Sequence, residues 1–266
     1  MTTPTVPHRF ELTLEIPASA DQVWHAIATA EGVASWFLPH EIEGRVGGRL
    51  VVHMGEMDSI GQVTAWDPPG RFAYEEDLAT LLGRPEADIT PLATEFLVEA
   101  QSGGTCVVRV VSSAFGTGAD WEDEFFDELG RYWAPFFDLL RLYAARFAGQ
   151  RAATRTVEVE IAAPPGAVHR AMVQALGVTG SGQPIDALGV SGTTLRVDDP
   201  YTMVEVADPA PGYAAVGALP AQSSDRALAQ IRAWLFGEAA DNALDAAEPH
   251  WQAWLDQLAV PEAVKR

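Results

Sequence analysis

The segment Phe72-Ala-Tyr-Glu-Glu76 sets a phenol and a carboxyl two residues apart. Side chains alternate along an extended chain, so Phe72, Tyr74 and Glu76 share one face of a strand. An acid beside a phenol in a closed pocket is the equipment of general acid–base chemistry. A carboxylate aimed into an apolar cavity is costly unless paired. Arg109, set among valines in Cys106-Val-Val-Arg-Val-Val111, is the partner if both face inward. The competing reading puts Glu76 at a solvated strand end and Arg109 on the outer face, because a one-residue register shift reverses every side chain. His53 follows the same logic, as a base inside or a rim residue outside.

Aromatic residues supply a second set of candidates. Phe125, Leu129, Trp133, Phe136, Leu140, Tyr143 and Phe147 recur at steps of three and four, the spacing of one helix face. The candidate ligand contacts are therefore Trp121, Phe125, Leu129, Trp133 and Phe136 from this helix. From the strands come Trp66, Phe72, Tyr74, Glu76 and Arg109. Trp24 and Trp133 also read simply as packing between helix and sheet. Other chemistry finds little footing. The chain has no Gly-rich phosphate loop, no His-x-x-x-His or Cys-x-x-Cys spacing and no Gly-x-Ser-x-Gly elbow. Its six histidines are scattered. No metal and no cofactor is expected, and no catalytic residue is assigned.

The elements that must position these residues are legible in outline. Residues 10–16 alternate as a strand. Ser19-Ala-Asp-Gln22 is a capping box that opens a helix over 20–29. A second helical turn is expected at 33–38, stopped by Pro39. Strands follow at 41–46, 49–54, 60–66, 72–77, 93–100 and 105–112. The stretch 78–91 reads as a loop or a strand extension over a cavity mouth. A long helix spans 119–148, with Pro135 inside it. Asp120, Glu122, Asp123 and Glu124 crowd its first turns, where the helix dipole favours negative charge.

The beginning of the chain then returns in altered form. Residues 11–27, ELTLEIPASADQVWHAI, correspond to 157–172, VEVEIAAPPGAVHRAM, with Glu15 matching Glu160 and Val23 matching Val168. The ends correspond too, Trp133 to Asp138 with Trp251 to Asp256. Such self-similarity implies a duplication, with domains at 1–150 and 151–266 and a linker at 149–154. The second copy is shorter. Residues 177–192 are rich in Gly, Ser and Pro where the first copy has strands. Strands are expected at 194–197, 203–207, 213–219 and 227–236, and a closing helix at 239–258.

Composition narrows the partners. The formal charge is −20. That field repels phosphate backbones and anionic lipid, so neither nucleic acid nor a membrane is expected. An acidic docking face for a basic protein partner remains open. The one cysteine, Cys106, permits no intrachain disulfide and reads as a buried thiol. The segment MTTPTVPHRF has no apolar signal core, and no apolar run suits a membrane span, which makes the expected location cytoplasmic.

Seven short motifs appear in order over residues 10–148: Pro17-Ala-Ser-Ala-Asp-Gln-Val-Trp24, Trp36-Phe37, Gly47-Gly48-Arg49, Gly61-x-Val63, Asp67-Pro-Pro-Gly-Arg-Phe72, Gly103-Gly-Thr105 and Trp133-x-Pro135-Phe-x-x-Leu139-Leu140. In them the chain resembles the START-like, or SRPBCC, superfamily. More closely, it resembles the bacterial homologues of the activator of the heat-shock ATPase, the Aha-type group. The second half keeps only its two ends and Asp199-Pro200. The resemblance implies an α+β helix-grip fold, a curved antiparallel sheet around a long C-terminal helix with a cavity between them, present twice with the second copy trimmed. It implies a protein that binds a small apolar or amphipathic molecule in the first domain, as monomer or homodimer. A polyketide cyclase or aromatase-like enzyme and a co-chaperone-like interaction module are the alternatives.

Overall fold

A computed structural model describes residues 6–55, 57–81, 83, 88–221 and 225–258. The chain forms two compact units, divided in sequence between Arg151 and Ala152. The first runs β1 (Val6–Ile16), α1 (Ala20–Ala28), α2 (Ala30–Ala34), β2 (His40–Ile42), β3 (Arg49–Met54), β4 (Met57–Asp67), β5 (Arg71–Glu76), α3 (Leu78–Leu81), β6 (Leu92–Ala100), β7 (Cys106–Gly116) and α4 (Asp120–Leu142). A π-helical turn, Tyr143–Phe147, prolongs α4. The seven strands make one antiparallel sheet in the order β1-β7-β6-β5-β4-β3-β2. The first strand pairs with the last, and the rest follow as a meander. This is the helix-grip arrangement.

One sheet face carries the buried side chains, among them Val63, Phe72, Phe96, Val108 and Val110. Helix α4 crosses that face, with Phe126 and Leu129 packed on Leu92 and Ala114. At Gly130 the helix comes so near β1 that a Cβ would stand 3.0 Å from the Phe10 ring. The start of α4 is fixed by Glu122, which is 1% exposed. Its carboxylate accepts from the backbone N–H groups of Thr117 at 3.0 Å and Gly118 at 2.8 Å, and lies 2.9 Å from His8 Nε2 on β1. Burial pushes the Glu122 carboxyl up, but these donors outweigh it and hold the group below the usual carboxylate range. The acidic cluster therefore does more than complement a dipole: one member ties helix to sheet.

Several boundaries differ from the sequence expectations, each for a local reason. The Ser19 capping box forms, its hydroxyl accepting from Gln22 N–H at 3.3 Å and the Gln22 side chain accepting from Ser19 N–H at 2.9 Å. The second helical turn lies at Ala30–Ala34 rather than 33–38, because Thr29 Oγ1 accepts from Gly32 N–H at 3.0 Å and starts it early. Strand β2 stops at Ile42 because the chain turns back through Arg45 and Gly48, where Gly48 N–H donates to Arg45 O at 2.9 Å. Strands β1 and β7 run longer than expected because Val6 pairs with Gly116 and the ladder continues between them. Of the stretch 78–91, Leu78–Leu81 is helical, while residues 82 and 84–87 lie outside the described residues, as do residues 1–5 of the N-terminal segment.

The second unit runs β8 (Ala153–Ile161), α5 (Pro165–Leu176), β9 (Pro184–Ala187), β10 (Val190–Asp198), β11 (Tyr201–Asp208), β12 (Gly212–Pro220), β13 (Ala227–Leu235) and α6 (Ala240–Asp256). Its sheet order is β8-β13-β12-β11-β10-β9, the same closure of first strand on last with one strand fewer. The fold is thus duplicated and the second copy trimmed. The Gly- and Pro-rich stretch 177–192, which does not read as strand, nevertheless holds β9. Leu188 (φ 58) and Gly189 (φ 74) form a two-residue hairpin turn that pairs Ala187 with Val190. Positive φ at both turn positions is what a type I′ hairpin needs. Among the described residues, no helix is long and apolar enough to cross a membrane.

Candidate functional site

A pocket of about 450 Å³, open mouth included, lies inside the first unit. Three groups of side chains line it. The sheet contributes Phe72 and Tyr74 from β5 with Thr94 and Phe96 from β6. These four form a block because Tyr74 pairs with Thr94 and Phe72 with Phe96 across the strands. The α1–α2 region contributes Ile27, Val33, Trp36 and Phe37, and β2 adds His40. Helix α4 contributes Trp133, Phe136 and Phe137. The early end of α2 matters here, since it frees Trp36 and Phe37 to turn inward. Phe37 meets Phe136 edge-on at 5.2 Å and Trp133 at 6.0 Å.

The ten residues singled out from sequence separate into groups. Phe72, Tyr74, Trp133 and Phe136 line the pocket. Trp66 instead packs edge-on against Trp24 at 5.1 Å and Phe72 at 5.6 Å, behind the wall. Leu129 is buried in the cluster of Leu78, Leu92, Ala114 and Phe126, where the grip is filled; Phe125 packs against it, half-buried. Trp121 sits half-buried at the start of α4, away from the pocket lining. Arg109 faces outward and bonds Glu11 across the strands at 2.6 Å, so it does not pair with Glu76. His53 is not among the residues that line the pocket; its partly exposed ring sets Nδ1 2.7 Å from Asp58.

Glu76 does face inward and is 4% exposed. Its partner is Ser59, whose hydroxyl donates to Oε1 at 2.5 Å. Room for the carboxyl comes from Gly61, the residue opposite, where a Cβ would press on the Glu75 carbonyl and the Glu76 side chain. Burial raises the Glu76 carboxyl above the carboxylate range, and the Ser59 bond offsets only part of that. Beside it, Tyr74 is pushed far above the usual phenol value by burial first and by Glu76 second, against a hydrogen bond with Thr94. Thr94 in turn lies 3.1 Å from Ser112 across β6 and β7. A polar seam, Ser59–Glu76 and Tyr74–Thr94–Ser112, therefore runs through an aromatic wall.

Sequence reasoning missed His40, Trp36, Phe37, Thr94, Phe96 and Phe137. Thr94 and Phe96 carried a usable signal, since they share strand parity and sit opposite Tyr74 and Phe72 once the register is set. Trp36-Phe37 was visible only as a motif. Nothing marked His40. Its ring is 9% exposed. Burial is the main cause that lowers its pKa to about 4, against the nearby carbonyls of Leu38 and Pro39. Among the described residues, no cluster of side chains suits a metal ion.

Residues 7–138 match the family described as polyketide cyclase / dehydrase and lipid transport. Protein MLL2253 from Mesorhizobium loti is 18% identical at a TM-score of 0.44, covering 52% of this chain and 98% of its own. The Aha1 dimer from Colwellia psychrerythraea is 18% identical at a TM-score of 0.42, with coverages of 53% and 98%. The di-domain ARO/CYC BexL from the BE-7585A biosynthetic pathway is 15% identical at a TM-score of 0.41, with coverages of 96% and 99%. No curated protein matches the chain.

Proposed function

We propose that this protein, whose residues 7–138 match the model of the polyketide cyclase / dehydrase and lipid transport family, binds a small apolar or amphipathic molecule between the sheet and α4 of its first unit. The observation that carries the reading is the pocket itself, walled by Phe37, Phe72, Phe96, Trp133 and Phe136 and left open to one side. Apolar and aromatic walls with a few polar groups among them are the usual lining of small-molecule sites. Flat rings on a curved sheet and on a helix do not interdigitate fully, and a ligand completes their packing. Of the ten candidate contacts, Phe72, Tyr74, Trp133 and Phe136 are the ones assigned to the ligand.

A second reading, a cyclase-type enzyme in the same pocket, is favoured by one observation. Glu76 is a buried acid next to Tyr74 whose pKa is raised by burial, the direction that favours the proton-donating form. The Aha-type affinity suggested by the motifs belongs here as well, but an interaction module would be better served by a filled grip than by an open one. We assign the pocket to one ligand per chain, in a monomer or homodimer of cytoplasmic location, with domains at 1–150 and 151–266.

Native mass spectrometry of the purified protein, followed by denaturation, tests the reading. A stoichiometric small molecule released on denaturation is the expected result, and its chemistry separates a carried ligand from a reaction product. A bare protein that also fails to bind added apolar aromatics overturns it.

A further inference from the structure

His40 lies at the start of β2 with its ring in the pocket wall, 9% exposed. Its Nδ1 stands 2.9 Å from the Leu38 carbonyl. A carbonyl can only accept, so Nδ1 carries the proton of a neutral ring. The Pro39 carbonyl is also near, and it too can only accept. Nε2 is therefore a bare lone pair. Other polar groups of the wall are spoken for: Thr94 by Ser112 at 3.1 Å, Tyr74 by Thr94, and the Trp36 indole N–H by the Ala26 carbonyl at 2.8 Å. Among the described lining residues, that leaves Nε2 as an acceptor with no protein donor. Among the described residues the fully enclosed side-chain atoms without a partner are Arg155 Nε and Arg232 Nε, so Nε2 of His40 is open to the pocket space, where a ligand hydroxyl can take the place of water.

We propose that His40 selects the ligand: its Nε2 accepts a hydrogen bond from a phenol-type hydroxyl on a planar, otherwise apolar molecule. Planarity follows from the walls, since Phe37, Phe72, Phe96 and Trp133 offer ring faces and edges that stack on flat ligands. The donor hydroxyl follows from the tautomer. The role is one of positioning and not of proton abstraction. A ring whose burial lowers its pKa to about 4 is a weak base at neutral pH, far from the matched value a general base needs. This inference rests on the pocket reading above and names the ligand class for it.

The test is calorimetric titration of the whole chain with two probes, 1-naphthol and 1-methoxynaphthalene, which differ in the donor hydroxyl. The wild-type protein is expected to prefer 1-naphthol by roughly tenfold, the size of one net hydrogen bond. In His40→Phe the preference vanishes while 1-methoxynaphthalene still binds. A circular dichroism spectrum checks that the variant is folded. Independently of any variant, the ¹⁵N resonance of His40 Nε2 in the wild-type protein moves upfield with 1-naphthol and stays in place with 1-methoxynaphthalene. Equal affinities for the two probes, a preference that survives in folded His40→Phe, or an unmoved Nε2 resonance overturns the assignment of His40 and leaves the pocket standing. Failure of both probes to bind overturns the pocket reading and this inference with it.

Discussion

The two units share a strand order and a closing helix, yet their interiors are finished differently. In the first, the grip is walled by large rings, and Trp133 on α4 is half-buried against a pocket. In the second, the matching Trp251 on α6 is 1% exposed. Its indole N–H donates to the Leu188 carbonyl at 2.7 Å. It sits among Met172, Val190, Leu244 and Leu255, over strands that present Ala214, Ala218, Ala229 and Ala233. Small residues let a helix settle closely onto a sheet. The short β9–β10 hairpin brings the Leu188 carbonyl to the indole. The difference teaches that one topology can set the matching tryptophan of its closing helix against a pocket or inside a packed core. The side chains on the sheet, and what hangs from its far edge, decide it.

The largest test of that contrast is a pair of truncations. Trp251→Ala is expected to destabilise the protein by roughly 3–5 kcal/mol, since it opens a cavity in a closed core. Trp133→Ala, facing a pocket, is expected to cost about 2 kcal/mol or less. Urea denaturation measures both, and equal losses would break the comparison. Next in size is the pH response of His40. Its folded pKa of about 4 lies below the ordinary 6.5, so the unfolded chain binds more protons between those values. Stability from this group is complete above 6.5 and falls by on the order of 3 kcal/mol as pH drops to 4. His40→Phe should flatten that limb of the stability curve.

Glu76 gives the opposite sign. Its folded pKa is raised above 4.5, so its contribution is present below 4.5 and is lost as pH rises through the folded value. Glu76→Gln should therefore be more stable than wild type at pH 8 and gain little at pH 4. Thermal melts at the two pH values read this, and a variant that loses stability at pH 8 would mean that the ionised carboxylate is tolerated in the wall. The smallest effect expected is at the second unit's hairpin. Gly189, at φ 74, has no clash awaiting a Cβ, its nearest neighbour being Ala247 at 3.8 Å. Gly189→Ala should cost only about 1 kcal/mol, the conformational penalty alone. A much larger loss would show that the turn is more tightly built into the second core than its surroundings indicate.

Strand alternation, the Ser19 capping box and the repeated ends make the fold legible in the sequence. These are local patterns, set by backbone sterics and by the need to bury one face. The inward face of Phe72, Tyr74 and Glu76 followed from the same alternation. The pairing of Glu76 did not, because strand parity says which residues share a face and not which partner stands opposite. Register placed Gly61 and Ser59 beside Glu76 and sent Arg109 to Glu11. Likewise the 3.6-residue period chose the α4 stripe, but where the helix crosses the sheet decided that Leu129 fills the core and Trp133 faces the pocket.

His40 marks the boundary between the two kinds of information. Its neighbours in sequence announce a turn after Pro39 and nothing more. The pocket gathers it with rings up to about a hundred residues away, and only that enclosure desolvates the imidazole and lowers its pKa. Duplication, element types and the inward face of β5 were determined by the sequence, because short-range geometry repeats wherever the same residue pattern occurs. That Trp133 lines a pocket while Trp251 is packed in a core, and that His40 joins the pocket wall, was decided by the tertiary structure, because packing and desolvation depend on residues that meet only when the chain has folded.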